Sequence, residues 1–155
     1  VTYVFDSSSF FELNSIYPSV FPGFWRKFDD AARTGLITST REVRAEVKRG
    51  ADDFVLRWSR TNKEIFTTPD GEETAFVAEI LAIPHFQQII NRKAQQRGTP
   101  VADPFVIACA KVKNGIVVTQ ERLKPNAAKI PNVCQHFNIP CTNLEGFLTS
   151  QKWSF

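Results

Sequence analysis

Methionine is absent from all 155 residues, position 1 included, which points to a trimmed or processed start. Cysteine is scarce: Cys109, Cys134 and Cys141 are odd in number and cannot all pair, so no disulfide framework is expected. Cys109 lies in the apolar run FVIACA, where a reduced, buried thiol is expected. Cys134, His136 and Cys141 share the segment CQHFNIPC, which lacks the paired short spacings of a zinc site, so packing is their expected role. No apolar run approaches the roughly 18 residues of a membrane helix, and no basic segment followed by an apolar core opens the chain. No membrane or export segment is therefore expected, and the cytoplasm is the expected location. Repeats and low-complexity stretches are absent as well.

What remains is the composition of an ordinary folded domain, with 43% hydrophobic, 12% aromatic and 23% charged residues. The length suits one hydrophobic core, so a single domain over residues 1–155 is expected. A formal charge of +3 favours an anionic partner only slightly, and charge alone selects no function.

Along the chain, TYVFD reads as a short buried strand and SSSFFELN as a helix capped by one of its serines. SIYPSVFPG, with two prolines and a glycine, is a loop. FWRKFDDAARTG then puts Phe24, Trp25, Phe28, Ala31 and Ala32 on one helical face before a glycine stop. LITS is a second strand, and STREVRAEVKRG opens a helix. Two further segments, DDFVLRWSRTNKEIF and residues 71–98, read as helices, the second broken near Pro84, so this middle section is expected to be all-helical. ADPFVIACAKVKNG is a nearly continuous apolar helix ending at Asn114 and Gly115, and IVVT is the β-branched strand that follows. The remainder offers a short helix, a short strand around Cys141 and a last helix from Leu144. Apolar strands alternating with helices imply a mainly parallel sheet covered on both faces, whose ligand crevice lies at the carboxyl ends of its strands.

Four carboxylates are candidates for that crevice. Asp6 closes the first strand, and Glu121 stands just past IVVT. Asp103 opens the apolar helix, and Glu46 lies one turn inside the helix after LITS. Each has a plainer account. Asp6 would end its strand in an Asx turn with the amides of Ser8 and Ser9. Asp103 before Pro104 fits a helix cap with proline at the first helical position. Glu121 would be a solvated loop residue. In STREVRAEV, Ser39 and Glu42 match a capping box, so Glu42 is explained locally and Glu46, beside the Val43 and Val47 stripe, is preferred for chemistry.

Clustered carboxylates repel one another and persist most readily around a divalent cation. Mg2+ takes hard oxygen ligands, often one or two carboxylates plus a substrate phosphate, and serves phosphodiester hydrolysis. Arg41, Arg44, Lys48 and Arg49, on the helix of Glu46, and Arg122 and Lys124, beside Glu121, are candidates to bind an RNA backbone; the plainer account is an ordinary solvated surface.

YVFDSSSF, VRAEVKRG and VADPFVIACAKVKNGIVVTQE, in this order, resemble PIN-domain proteins, and most of all the PIN-like (VapC-like) toxin ribonucleases of prokaryotic toxin-antitoxin modules. The resemblance spans essentially the whole chain. It implies a three-layer α/β/α sandwich with a central, mainly parallel sheet, and an acidic site that binds Mg2+ or Mn2+ and hydrolyses RNA with a metal-activated water. Position by position it implies catalytic and metal-ligating roles for Asp6, Glu46, Asp103 and Glu121, with Thr119 as the polar residue preceding the fourth acid. The family's fourth acid is more often aspartate, and the residue after its third is more often small than proline. The resemblance further implies a small antitoxin partner and a homodimer, contacts that the aromatics of IYPSVFPGFW would serve; folding of this loop onto its own domain is the plainer account. Two alternatives stand beside the nuclease. One is a catalytically inactive binding module of the same fold. The other is a phosphohydrolase with Asp6 as nucleophile, which ordinarily needs an aspartate where this chain has Ser8.

Overall fold

Residues 1–90 and 101–155 are described by the computed structural model. Five strands, β1 (Tyr3–Phe5), β2 (Ile37–Thr40), β3 (Phe66–Thr67), β4 (Ile116–Val118) and β5 (Cys141–Thr142), form one sheet in the order β3-β2-β1-β4-β5. Every pairing is parallel, and β1 lies at the centre with Tyr3 opposite both Ile37 and Ile116. All three residues of β1 are buried, as a strand covered on both faces requires.

The pleat divides the core. Tyr3 and Phe5 point to one face, where their rings meet Phe147 and, for Phe5, Phe28 and Phe10. These come from helices α1 (Ser7–Glu12), α2 (Pro22–Thr34) and, last in the chain, α8 (Leu144–Ser150). Trp58 of α4 (Phe54–Thr61) completes this layer by stacking on Phe28. Val4 points to the other face, where α6 (Asp103–Lys113) crosses β1, β2 and β4 and packs beside α5 (Gly71–Leu81). The expected α/β/α sandwich with a parallel sheet is the observed architecture.

Local chemistry explains most boundaries. Pro22 supplies the first turn of α2, which therefore begins two residues before Phe24, because proline fits where the amides are unpaired anyway. Gly35 ends that helix at φ 81°, a left-handed conformation that a side chain would strain. Asn114 ends α6 at φ 51°, and α5 stops at Leu81 before the 3-10 turn Pro84–Gln87, the expected break. The part of that expected helix over 91–98 lies outside the described residues. The remaining helices are α3 (Arg41–Lys48) and α7 (Ile130–His136). Among the described residues no helix is long and apolar enough to cross a membrane.

Three expectations are corrected. The middle section is not all-helical: after the 3-10 turn Lys63–Ile65 the chain enters β3, which adds to the sheet beside β2. Helix α1 is capped by Asp6, whose side chain accepts from the Ser9 amide, and not by a serine. Helix α3 is capped by Thr40, bonded to the Val43 amide, because pairing with β3 carries β2 one residue past Ser39. Ser39 instead donates to the Phe5 carbonyl across the sheet, at 2.6 Å, so the Ser39–Glu42 capping box does not form.

Candidate functional site

The strand order fixes where a ligand crevice is expected. From β1 the chain adds β2 and β3 on one side and then returns to add β4 and β5 on the other, so the order reverses between β1 and β4. The carboxyl ends of the two strands at such a reversal diverge, and ligands of open α/β sheets bind there. The residues just beyond these ends are Asp6 and Thr119.

They are in direct contact. Thr119 Oγ1 donates to Asp6 Oδ2 at 2.5 Å, with both side chains nearly inaccessible at 1% and 3% exposure. The Ser8 hydroxyl lies 2.8 and 2.9 Å from the two Asp6 oxygens, while Oδ1 also takes the Ser9 amide at 2.9 Å. One oxygen thus caps α1 and the other is directed across to β4. Ser8 Oγ in turn accepts from the Gln120 amide at 3.0 Å, and the Gln120 side chain accepts from the Leu144 amide at 2.8 Å. Thr119 accepts from the Glu121 amide at 3.1 Å, and its own amide bonds to the Thr142 carbonyl in β5. The rims of β1, β4 and β5 are therefore joined through Asp6.

Glu46 and Glu121 join this centre, the first through Ser7 and the second through the Thr119 hydroxyl. Glu46 is 5% exposed and accepts from the hydroxyl of Ser7, the residue after Asp6. Asp103 is equally buried at the start of α6. It is the first residue of α6, one position later than the plainer account placed it, with Ala102 in the cap position. Glu121 is half-buried and its Oε1 accepts from the Ile130 amide at 3.0 Å, which replaces the solvated-loop account with a tie to α7. Arg41, Arg44, Lys48 and Arg49 line a hollow on the outer side of α3, whereas Arg122 and Lys124 are exposed on the loop after β4.

Burial raises the Asp6 pKa above 3.8; bonds from Thr119, Ser9 and Ser8 oppose the shift, and the nearby Glu121 charge adds to it. A desolvated carboxyl beside a second acid is one that a cation would stabilise. The side chains present as donors are hard oxygens, which suits Mg2+ or Mn2+. Among the described residues no three His, Cys, Asp or Glu side chains are grouped closely enough to hold an ion. Mg2+ often binds through one or two carboxylates, filling its remaining positions with water and substrate, so the Asp6 surroundings fit it as a site of few direct ligands. Sequence reasoning missed Ser7, Ser8 and Gln120 as members of this network. The signal for them was three hydroxyls directly after a strand-ending aspartate, and a polar residue between Thr119 and Glu121.

Fold and site define an α/β protein with a buried, hydroxyl-braced aspartate at its topological switch point. The chain belongs to the DUF4411 family, a domain of unknown function, whose model matches residues 3–155. No curated protein matches it in sequence. Among solved structures it is similar to PAE2754 from Pyrobaculum aerophilum, with a TM-score of 0.45 and 16% identity over 97% of this chain and 88% of that one. It is also similar to VapBC2 from Rickettsia felis bound to a DNA fragment from their promoter, with a TM-score of 0.48 and 11% identity over 92% of this chain and 98% of that one.

Proposed function

We propose that this protein is a metal-dependent endoribonuclease, the toxin of a toxin-antitoxin pair, acting at the crevice between β1 and β4. The observation that carries the reading is the buried Asp6 carboxylate braced by Thr119 and Ser8 where the strand order reverses. Asp6 would hold Mg2+ or Mn2+, with Glu46, Asp103 and Glu121 acting on the ion directly or through its waters. When bound, such an ion lowers the pKa of a water and offsets charge that builds on a phosphodiester.

The chain's own groups have distinct work. Thr119 and Ser8 hold the Asp6 carboxylate in one orientation, and Ser7 does the same for Glu46. A ligand held by packing and hydrogen bonds keeps its geometry when substrate arrives. Arg122 and Lys124, exposed beside Glu121, would meet the RNA backbone as it enters. The small antitoxin and the second copy implied by the resemblance belong to the same proposal. Tyr17, Val20 and Phe21, exposed at 60%, 62% and 41%, offer apolar surface for one of these contacts.

One observation favours a second reading, an inactive module of the same fold: among the described residues no three potential ligands converge. Cleavage of a panel of structured RNAs, with and without Mn2+, decides between them. The wild type is expected to cut only with the ion, and Asp6→Asn to be inactive. Equal cutting by both proteins would remove the assignment. Calorimetric titration with Mn2+ that gives the same heats for wild type and Asp6→Asn would favour the module. Trapping a phosphorylated Asp6 would instead point to the phosphohydrolase.

A further inference from the structure

Two hollows among the described residues differ in the sign of charge they offer. One of about 830 Å³ between α2 and α4 carries Arg26, Arg33 and Arg57 against Asp29, Asp30 and Glu64, and selects neither sign. A second, of about 400 Å³, lies on the outer side of α3, with Lys63 and Phe66 at its wall. It is lined by five cationic side chains, Arg41, Arg44, Lys48, Arg49 and Lys63, and by one carboxylate, Glu42. That volume lies within the roughly 300–1,000 Å³ of small-molecule sites.

The polar groups in this hollow are incompletely paired. Glu42 is 9% exposed and accepts from Arg41 Nε at 2.8 Å through Oε2, which neutralises Arg41. Its Oε1 is buried without a hydrogen-bond partner, and so is Arg44 Nε. A hollow ringed by Arg44, Lys48, Arg49 and Lys63, with Glu42 engaged by Arg41, is an arrangement that an oxyanion completes.

Helix geometry relates this hollow to the crevice. Ala45, in the hollow's wall, and Glu46, bonded to Ser7, are consecutive residues about 100° apart around α3. A chain of phosphates leaving Glu46 therefore meets the hollow after passing round one side of a single helix. We infer that the hollow is a phosphate-binding subsite for an RNA strand, holding a backbone phosphate away from the bond that is cut. The choice of RNA as bearer of the phosphate rests on the nuclease reading, whereas the preference for an oxyanion rests on the hollow itself.

Binding can be read without cleavage by following a 5′-labelled single-stranded oligonucleotide by fluorescence anisotropy in EDTA, at several salt concentrations. Lys48→Ala/Lys63→Ala changes two exposed side chains and is expected to fold; it should weaken binding several-fold and flatten the salt slope by about 0.7 for each phosphate that is no longer neutralised. Lys27→Ala/Arg33→Ala removes the same charge from α2 and should change binding far less. Equal weakening by both double variants, or no binding by the wild type, would overturn the inference. Displacement of the oligonucleotide by an equal concentration of inorganic pyrophosphate would also overturn it, by showing a site for free phosphate and not for a strand. The nuclease reading fails separately, through cleavage by Asp6→Asn, and leaves these binding results unchanged.

Discussion

Burial acts on the Asp6 carboxylate more strongly than its hydrogen bonds do, and its pKa rises above 3.8 although Thr119, Ser9 and Ser8 all donate to it. A carboxyl raised by folding binds its proton more tightly in the native state. Its contribution therefore favours the fold below pH 3.8 and is lost as the pH climbs through the raised value. Asp6→Asn has no such proton. The stability of the wild type relative to Asp6→Asn should accordingly fall as the pH rises from about 3.8, by about 1.4 kcal/mol for each unit by which folding raises the pKa. Urea titrations of both proteins between pH 3.5 and 7 measure this, and parallel curves would contradict it. Asp6 stood out in the sequence because an acid directly after a buried strand needs a reason. Its partner Ser8 was legible only as an amide in a turn, since which hydroxyl reaches which oxygen depends on where β4 lies.

At the scale of elements, the alternation of strand and helix was readable because β1 and β4 are near-continuous apolar runs bounded by polar residues. Strand β3 was not, because two residues display no period and the preceding segment carries a helical pattern. That omission spread to its neighbour. Without β3 nothing in the sequence shows that β2 continues to Thr40, so the cap of α3 falls one residue early and Glu42 acquires a role it does not have. Glu46, the acid preferred for chemistry, is bonded to Ser7. Gly115 offers a test of how closely the elements are set. A Cβ there would lie 2.7 Å from the Thr2 carbonyl oxygen, a backbone atom that moves only with the strand. Gly115→Ala is therefore expected to cost about 1–3 kcal/mol, as overpacking does. Because β4 leads directly to Thr119, the same change should reduce RNA cleavage in the proposed assay. A denaturation midpoint equal to that of the wild type would show that the two strands yield more readily than this contact implies.

At the scale of the whole molecule, one face of the sheet is covered by an aromatic system that ties distant segments of sequence. Phe147 of α8 has its ring 4.9 Å from that of Tyr3 and 5.2 Å from that of Phe5, both edge-on, and Tyr3 Oη lies 3.0 Å from Ser150 Oγ. Phe5 continues the contact to Phe28, and Phe28 to Trp58. Helix α8 is thus a wall of the core beneath the central strand, and the strand it supports is the one that ends on Asp6. We propose on this basis that residues 1–155 unfold as one cooperative unit. Far-ultraviolet circular dichroism and tryptophan fluorescence should then give coincident urea transitions for the wild type. Phe147→Ala should shift both transitions together, by about 3–5 kcal/mol, the usual loss for a fully buried phenylalanine. Separate transitions, or a shift confined to one probe, would mean that α8 leaves the sheet while the rest stays folded. In that case the brace beneath Asp6 would be local, and the crevice would depend on α1 and β4 alone.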